Sequence, residues 1–275
     1  MAEHRAPAGP MICVLGDAHL DVIVRPSGPV QPFYEETDTP ATTWVGAGGQ
    51  AANVAAWTCA LGGRARLIAA RGTDLAAGLV AGDLGRRGVQ VVGPVVTGRT
   101  GVVVSMSDHG RSRAMLSDRG VGPRLDAAAV KDEWLDGCDR LHLPAYSLTT
   151  VPVSGAARAA AARVPRLSVD LSSTAVLRDF GVASFRALLA DLRPDIVFGN
   201  EAEARLIGDL PGADMVVKMG ARGVRAGGAV HAAVAAEAVD ATGAGDAFTA
   251  GYLLGGVGLG LQAAARAVAT MGAMP

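Results

Sequence analysis

The chain has 275 residues, half of them hydrophobic but only 4% aromatic, and its formal net charge at pH 7 is −1. This composition is typical of a soluble globular protein rather than a disordered or fibrous chain. Because no long run of one charge sign is present, we expect neither nucleic acid nor a membrane as a partner. The length suits one large α/β domain with a small appendage.

The N-terminal stretch MAEHRAPAGP mixes charges with prolines and lacks the apolar core of a signal peptide. It predicts a flexible leader over residues 1–10, followed by a single domain over residues 11–275. The three cysteines, Cys13, Cys59 and Cys138, are scattered and odd in number, which indicates neither a disulfide framework nor a close-spaced metal site. We therefore expect a cytoplasmic protein.

Six short apolar runs bounded by turns predict buried strands. They cover residues 11–17, 65–72, 139–145, 166–172, 195–200 and 214–220. The segments between them, such as GGQAANVAAWTCALG and VASFRALLADLRP, contain helix-forming residues with apolar spacing near 3.6. This alternation predicts an α/β fold with a doubly wound, mainly parallel sheet and helices on both faces.

Two segments interrupt this rhythm. DVIVRP, residues 21–26, and the longer residues 99–120 alternate like exposed strands, the second with a hairpin turn at residues 108–110. They predict a small β-sheet lid, built from about residues 21–45 and 95–120, that covers a ligand crevice. The Pro- and Thr-rich stretch over residues 26–44 predicts a loop.

The C-terminal third contains two glycine-rich features. Residues 223–235 predict a hairpin that turns at residues 226–228. The uncharged run between Asp246 and Arg266 is long enough to suggest a membrane span, but it contains five glycines. Because each glycine weakens a helix by up to about 1 kcal/mol relative to alanine, we expect a buried helix with a glycine turn instead.

The motif TGAGD, residues 242–246, lies just before this apolar run. Gly243 and Gly245 permit positive φ, and the unpaired N–H groups of the helix start lie at the same place. Such a geometry attracts an anion, with Asp246 as a cap or a carboxylate beside it. A plain glycine-rich turn with a capping aspartate explains the motif equally well.

Two polar stretches near the N-terminus could hold a ligand. In GAGGQAAN, Gly48 and Gly49 allow close approach to the backbone, and Asn53 can hydrogen-bond hydroxyls. Its spacing is not the dinucleotide fingerprint and no Walker motif is present, which disfavours a nicotinamide enzyme. In GDAHLD, Asp17 and Asp21 follow a strand, where carboxylates can hold sugar hydroxyls, although a solvated turn is the alternative.

Two further stretches follow strands in the second half of the chain. In GNEAEA, Asn200 and Glu203 supply oxygen ligands that suit Mg²⁺, or alternatively a helix cap with favourable acids in the first turn. In VKMGARG, Lys218, Gly220 and Gly223 form, taken alone, a generic turn from a strand into a hairpin.

The order of these stretches resembles the ribokinase/PfkB family of carbohydrate kinases. The resemblance covers roughly residues 11–273, and its most specific part is the Asp-x-x-Gly-Ala-Gly-Asp signature at residues 240–246. It implies a ribokinase-like fold and transfer of the γ-phosphoryl group of ATP to a hydroxymethyl group of a sugar or sugar-like substrate.

The resemblance also implies residue roles. Asp246 matches the catalytic base, and the amides of Gly243, Ala244 and Gly245 match an anion hole. We expect the unperturbed aspartate pKa of about 3.9 for this base. The other matches are Asp17, Asp21, Gly48, Gly49 and Asn53 for the substrate, with Asp21 favoured by spacing; Asn200 and Glu203 for Mg²⁺; Lys218, Gly220 and Gly223 for the nucleotide; and Asp240 and Thr242 for K⁺.

The phosphate acceptor stays open between a free sugar, a sugar acid, a sugar phosphate and a nucleoside. Gln50 replaces a lysine of ribokinases, and Pro144 stands where they have a glutamate that touches ribose. On the lid, Arg113 and Arg119 could contact an anionic substrate, or stay solvated.

Two alternative functions and one oligomeric state are also considered. The aromatic side chains Phe33, Tyr34 and Trp44 keep a nucleoside kinase in consideration. A non-catalytic sugar- or nucleotide-binding protein of the same fold is the competing class. By fold analogy, the apolar positions of residues 100–107 could pair two lids in a homodimer.

Overall fold

The computed structural model describes residues 9–27, 38–108 and 112–275. Within them the chain forms a nine-stranded sheet, flanked by helices, and a separate four-stranded sheet. Several expectations fall on residues outside the described part. These are residues 1–8 of the expected leader, Phe33 and Tyr34, His109 and Gly110 of the expected hairpin turn, and the side chain of Arg113.

The strands alternate with helices along most of the chain. In order they are β1 Met11–Leu15, β2 His19–Pro26, β3 Ala41–Gly48, β4 Arg64–Ile68, β5 Gln90–Val92, β6 Thr100–Asp108, β7 Ser112–Gly120, β8 Arg140–Pro144, β9 Leu167–Asp170, β10 Ile196–Asn200, β11 Asp214–Lys218, β12 Val224–Ala226 and β13 Ala229–His231. The helices are α1 Gln50–Ala60, α2 Leu75–Arg86, α3 Ala145–Thr149, α4 Val153–Ala161, α5 Thr174–Phe180, α6 Val182–Leu192, α7 Glu201–Ile207 and α8 Ala244–Val268.

The large sheet has the order β13-β12-β11-β10-β9-β8-β1-β4-β5, parallel except for β12 and β13. Its central strand β1 shows why this sequence forms a buried sheet. Cys13 and Leu15 pack on one face with α4 and α6, whereas Ile12 and Val14 pack on the other with α1 and α8. A strand covered on both faces needs a continuous apolar run, and the doubly wound α/β prediction is confirmed.

All six predicted core strands are present, and each begins within one residue of its predicted start. The predicted hairpin is β12–β13, which extends the large sheet at its edge. The strand β5 was not predicted, because three residues are too few to show a periodic pattern.

The small sheet, with order β3-β2-β6-β7, is the predicted lid. One expectation is wrong: residues 41–44 are not loop, since β3 pairs with β2 over eight residues, from His19 opposite Gly48 to Pro26 opposite Ala41. The β-branched Thr42 and Thr43 favour this extended conformation. The strand β6, expected to supply a dimer face, lies inside the sheet.

The long helix α8 is divided at Gly255 and Gly256, whose backbone angles are not helical. By length and composition alone this helix could cross a membrane. The chain instead folds back on itself, so that a Cβ on Gly251 would lie 2.7 Å from the carbonyl oxygen of Leu259. The expected glycine turn is confirmed, and the side of the helix that includes Ala247, Ala250, Ala263 and Ala267 is buried in the core.

This close approach gives a stability test. Because a Cβ at position 251 would overlap backbone atoms, we expect Gly251→Ala to lower the free energy of unfolding by about 1–3 kcal/mol. The matched control is Gly258→Ala in the same helix, where a Cβ meets no atom within 4 Å. We expect it to stabilise by about 0.5 kcal/mol. Urea denaturation measures both; equal effects would contradict the folded-back helix.

Candidate active site

A cavity of about 300 Å³ lies between the lid and the carboxyl edge of the large sheet. The strands β1, β8 and β9 end at this edge, and the lid continues from β1 after a three-residue turn. Ligand crevices of open α/β sheets lie at this edge. Seven of the predicted site residues line the cavity: Asp17, Asp21, Gly49, Asn53, Thr242, Gly243 and Asp246.

Asp246 lies in the first turn of α8 at the cavity wall. The residue that caps this helix is Gly243, with φ of 75°, so a capping role for Asp246 is wrong. Its Oδ2 instead accepts a 2.8 Å hydrogen bond from Nδ2 of Asn53, on α1. This bond fixes the carboxylate while its other oxygen stays available for chemistry at the cavity.

The surroundings of Asp246 change its proton affinity. Removal from water raises the pKa of Asp246 to about 7, and the carboxylates of Asp170 and Asp17 act in the same direction. The Asn53 hydrogen bond and the positive charge of Lys218 oppose this rise. The expected unperturbed pKa is therefore wrong: Asp246 is a stronger base than an exposed aspartate, and it titrates near neutral pH.

The loop before α8 is held by Asp240. Its Oδ1 accepts hydrogen bonds from the amide of Thr242 at 2.9 Å and from the hydroxyl at 2.6 Å. Its Oδ2 accepts one from the amide of Gly272 at 3.1 Å. A Cβ on Gly243 would lie 2.6 Å from the backbone of Ala273, so glycine is required there. The loop thus fixes the start of α8, where the amide of Ala244 makes a long hydrogen bond of 3.4 Å to the carbonyl oxygen of Ala241.

The acidic end of the cavity contains an unforeseen imidazole. His19 Nε2 lies 3.0 Å from Oδ1 of Asp21, and Nδ1 lies 3.7 Å from Oδ2 of Asp17. Burial lowers the pKa of His19, but the two carboxylates outweigh it, and the net pKa is raised. This arrangement brings both predicted carboxylates to one wall of the cavity.

The two glycines that precede α1 make room for these aspartates. A Cβ on Gly48 would lie 2.1 Å from Cγ of Asp21, and one on Gly49 would lie 2.7 Å from the carbonyl oxygen of Asp17. Gly49 also has a φ of 109°, which side chains rarely adopt. In the structure these glycines contact the aspartates, which is a different reason for glycine from the expected approach of a ligand.

Asn200 and Glu203 lie outside the cavity, at the start of α7. The side chain of Asn200 accepts from the amides of Ala202 and Glu203, and Glu203 accepts from the Asn200 amide and from Nδ2, both at 2.8 Å. This is a capping box, which corresponds to the helix cap considered above as the alternative to a Mg²⁺ site. Burial raises the pKa of Glu203. Within the described residues no group of three acidic, His or Cys side chains is arranged to hold a metal.

Lys218 ends β11, and its Nζ lies 2.6 Å from Oδ2 of Asp170, at the end of β9. A Cβ on Gly245 would lie 3.4 Å from the same Nζ, which places the ammonium group against the first turn of α8. Burial opposes the charge on both partners, but their attraction outweighs it, so the pKa of Asp170 is lowered and that of Lys218 is raised.

Gly220 and Gly223 follow Lys218 in the turn into β12, outside the cavity. Gly223 has a φ of 98°, and a Cβ there would lie 2.0 Å from the carbonyl oxygen of His231. This glycine is required by the β12–β13 hairpin.

A protein-family model matches residues 10–274, and its description is the pfkB family of carbohydrate kinases. The chain belongs to this family. A relative from Halopiger xanaduensis, an ATP-dependent ribose-1-phosphate kinase, is 32% identical over 221 residues, which cover 75% of this chain and 72% of the relative. The predictions of family, fold class and enzyme class are confirmed.

Solved structures of low sequence identity share this fold. Adenosine kinase from Sinorhizobium meliloti superposes with a TM-score of 0.83 at 23% identity, over 98% of this chain and 96% of that one. A ribokinase II candidate from E. coli, in complex with ATP and Mg²⁺, gives a TM-score of 0.81 at 22% identity, over 96% and 94%. At the coarser level the chain is thus a sugar or nucleoside kinase of the pfkB family.

Sequence reasoning missed four residues of this kinase's site. His19, Tyr146 and Ser172 line the cavity, and Asp170 lies behind it, bonded to Lys218. Asp170 could have been detected from the sequence, since an ionisable residue ends a predicted buried strand at the carboxyl edge of the sheet. The other three depend on neighbours distant in sequence.

The raised pKa of Asp246 has a consequence for stability. Between an unfolded pKa of about 3.9 and a folded pKa of about 7, the folded state binds the extra proton, so the free energy of unfolding falls as pH rises. The loss is complete above about pH 7. We therefore expect Asp246→Asn to raise the thermal midpoint relative to wild type at pH 8, with a smaller difference at pH 5.

Thermal unfolding of both proteins across pH 5–8 measures this difference. Asp209→Asn, which removes an exposed carboxylate after α7, serves as the control. An Asp246→Asn difference that stays constant across the range would contradict the raised pKa.

Proposed function

We propose that this protein transfers the γ-phosphoryl group of ATP to a hydroxymethyl group of a sugar or sugar-like acceptor. The observation that supports it best is Asp246: a carboxylate of raised pKa, fixed by Asn53, at the junction of a substrate-sized cavity and a helix N-terminus. A general base needs a pKa near the working pH and contact with the hydroxyl that it deprotonates.

In this mechanism Asp246 accepts the proton of the acceptor hydroxyl. The hydroxyl oxygen forms its bond to the γ-phosphorus as the bond to the β-phosphate oxygen breaks, and ADP leaves. Asn53 holds the carboxylate during the step. The amides of Gly243, Ala244 and Gly245, at the start of α8, serve as the anion hole, because helix N-terminal N–H groups stabilise negative charge on the transferred group.

Asn200 and Glu203 would organise Mg²⁺ through water. Each oxygen of Glu203 accepts one hydrogen bond, and a carboxylate oxygen has a second lone pair for a water molecule, so the pair fits an outer contact. When bound to the nucleotide, Mg²⁺ neutralises phosphate charge. Lys218, Gly220 and Gly223 would lie along the nucleotide, and Asp240 and Thr242 stay the candidates for a K⁺ site.

The acceptor that the cavity supports best is a pentose phosphate. Asp17 and Asp21 can accept hydrogen bonds from sugar hydroxyls, as carboxylates do in sugar sites. Arg119 also lines the cavity and supplies positive charge for a phosphate group. The relative named as a ribose-1-phosphate kinase favours the same substrate class.

A nucleoside is the second candidate, because the Tyr146 ring lines the cavity and could stack on a base. The guanidinium carbon of Arg119 lies 4.5 Å from the centroid of this ring, however, and covers one of its faces. This contact favours the anionic sugar.

A homodimer through the lid stays a prediction. The exposed apolar side chains of the lid, among them Val45 and Leu116, lie on the edge strands β3 and β7.

The activity test is ATP consumption with Mg²⁺ and a panel of ribose, ribose 1-phosphate, ribose 5-phosphate, a sugar acid and adenosine. We expect turnover with ribose 1-phosphate, and a loss of about 10²–10⁴-fold in kcat for Asp246→Asn, because a general base contributes about this factor. Circular dichroism and the thermal midpoint confirm that the variant folds. Undiminished turnover in Asp246→Asn would remove the proposed base, and binding of ADP or sugar without turnover would favour the non-catalytic alternative.

The pH dependence of kcat/KM tests the same residue differently. Because only the ionised carboxylate accepts a proton, we expect kcat/KM to be constant above about pH 7 and to fall about tenfold per unit below it. The residual rate of Asp246→Asn over the same range corrects for ionisation of the substrates. A limb near pH 4 would show that the carboxylate has an ordinary pKa in the free enzyme.

A further inference from the structure

A continuous run of contacts connects the first turn of α8 with the acceptor cavity. Lys218 Nζ, beside Gly245, bonds Oδ2 of Asp170 at 2.6 Å. Oδ1 of Asp170 accepts from the amide of Ser172 at 2.9 Å. The Ser172 hydroxyl donates to Oε1 of Gln50 at 2.6 Å, and Ser172 and Gln50 both line the cavity.

The same contacts close into a ring through α1. Gln50 begins this helix, and Asn53 lies three residues later on the same face of its first turn. Asn53 bonds Asp246, and Asp246 adjoins Gly245, where Lys218 lies. The ring therefore joins the proposed base, the acceptor-lining residues and the ammonium group beside the anion hole.

Ser172 shows that the ring imposes a conformation. Its φ of 63° lies in the left-handed region, which costs a non-glycine residue about 1 kcal/mol. Glycine would adopt this φ without strain but would lack the hydroxyl. The hydroxyl has three partners: it donates to Oε1 of Gln50 at 2.6 Å and, at the longer distance of 3.2 Å, lies near the carbonyl oxygen of Asp170, and it accepts from the amide of Ala145 at 3.0 Å.

Asp170 bonds two members of the ring, Lys218 and Ser172. It is only 2% exposed, and its two oxygens bond different partners, the Lys218 ammonium and the Ser172 amide. A buried ion pair is weak evidence for stability, because apolar residues of similar volume often stabilise as well. Bonds that run to two substrate sites indicate a positioning role instead.

We propose that Asp170 is a positioning residue that holds Lys218 at the first turn of α8 and Ser172 at the acceptor cavity, and that Ser172 and Gln50 determine acceptor specificity. The proposal rests on the proposed kinase function, because it assigns the cavity to the acceptor. It adds that the acceptor cavity and the first turn of α8 are aligned by one ring of hydrogen bonds, helix backbone and packing contacts.

The first experiment compares Ser172→Ala with Ser172→Gly, using ATP and the best acceptor of the panel. Both variants lose the hydroxyl, but only glycine relieves the backbone strain. We expect both to raise the acceptor KM by about tenfold, the equivalent of one net hydrogen bond, with the KM for ATP changed less than about twofold. A wild-type acceptor KM in Ser172→Gly would overturn the role of the hydroxyl.

The second experiment is a double-mutant cycle on kcat/KM with Ser172→Gly and Lys218→Met. Residues without shared partners have multiplicative effects, whereas members of one network do not. We expect the double variant to lose at least about threefold less than the product of the single losses. A multiplicative result would overturn the ring.

Asp170→Asn tests the shared member directly. We expect it to lower kcat and also raise the acceptor KM, since the contacts that hold Lys218 and Ser172 are both weakened. The matched control is Asp195→Asn, which also removes a carboxylate bonded to a cation, Arg140, and to a backbone amide, that of Leu167. That pair lies at the opposite edge of the sheet, so we expect a change in thermal midpoint with unaltered kinetic constants. The same kinetic split in both variants would overturn the positioning role.

The same cycle measured on the free energy of unfolding separates this inference from the proposed function. A wild-type protein that consumes no ATP with any acceptor would contradict the proposed function. The unfolding cycle then decides the ring by itself: non-additive free energies support the ring, and additive ones overturn it.

Discussion

The hydrogen bond between Asn53 and Asp246 joins the two helices on which the site depends. Both helices contribute small residues to the same hydrophobic core, including Ala52 and Ala56 on α1 and Ala250 on α8. This packing brings together residues 193 positions apart and removes the Asp246 carboxylate from bulk water. Its pKa near 7 follows from that removal, since desolvation disfavours the charged form more than Asn53 and Lys218 restore it.

The parallel sheet supplies the other half of the site. Because β8, β9, β10 and β11 are adjacent and parallel, their carboxyl ends lie side by side, with Pro144 paired with Asp170 and Asn200 paired with Lys218. Side chains at the ends of nearby strands can therefore form ion pairs, as Asp170 of β9 does with Lys218 of β11. The lid begins at His19, separated from the end of β1 by three residues, so the acidic wall of the cavity belongs to the same edge.

Glycine is required for different structural reasons in GAGGQAAN and in TGAGD. Gly48 and Gly49 give space to Asp21 and Asp17, whereas Gly243 adopts a positive φ and lies against Ala273. Only the second case agrees with the expected turn before a helix. The capping box of Asn200 and Glu203 shows a similar limit, because the same two residues satisfy the backbone whether or not a metal ion is near.

The sequence by itself determined the family, the parallel sheet and the positions of the motifs, because buried strands and glycine-rich turns are local patterns of residue type. It also indicated that Asp246 lies near the start of the last long helix. Only the tertiary structure decided which groups meet: Asn53 with Asp246, His19 with two aspartates, and Asp170 with both Lys218 and Ser172. The proton affinity of Asp246 belongs to the second kind of knowledge, since it depends on desolvation and on charges brought close by folding.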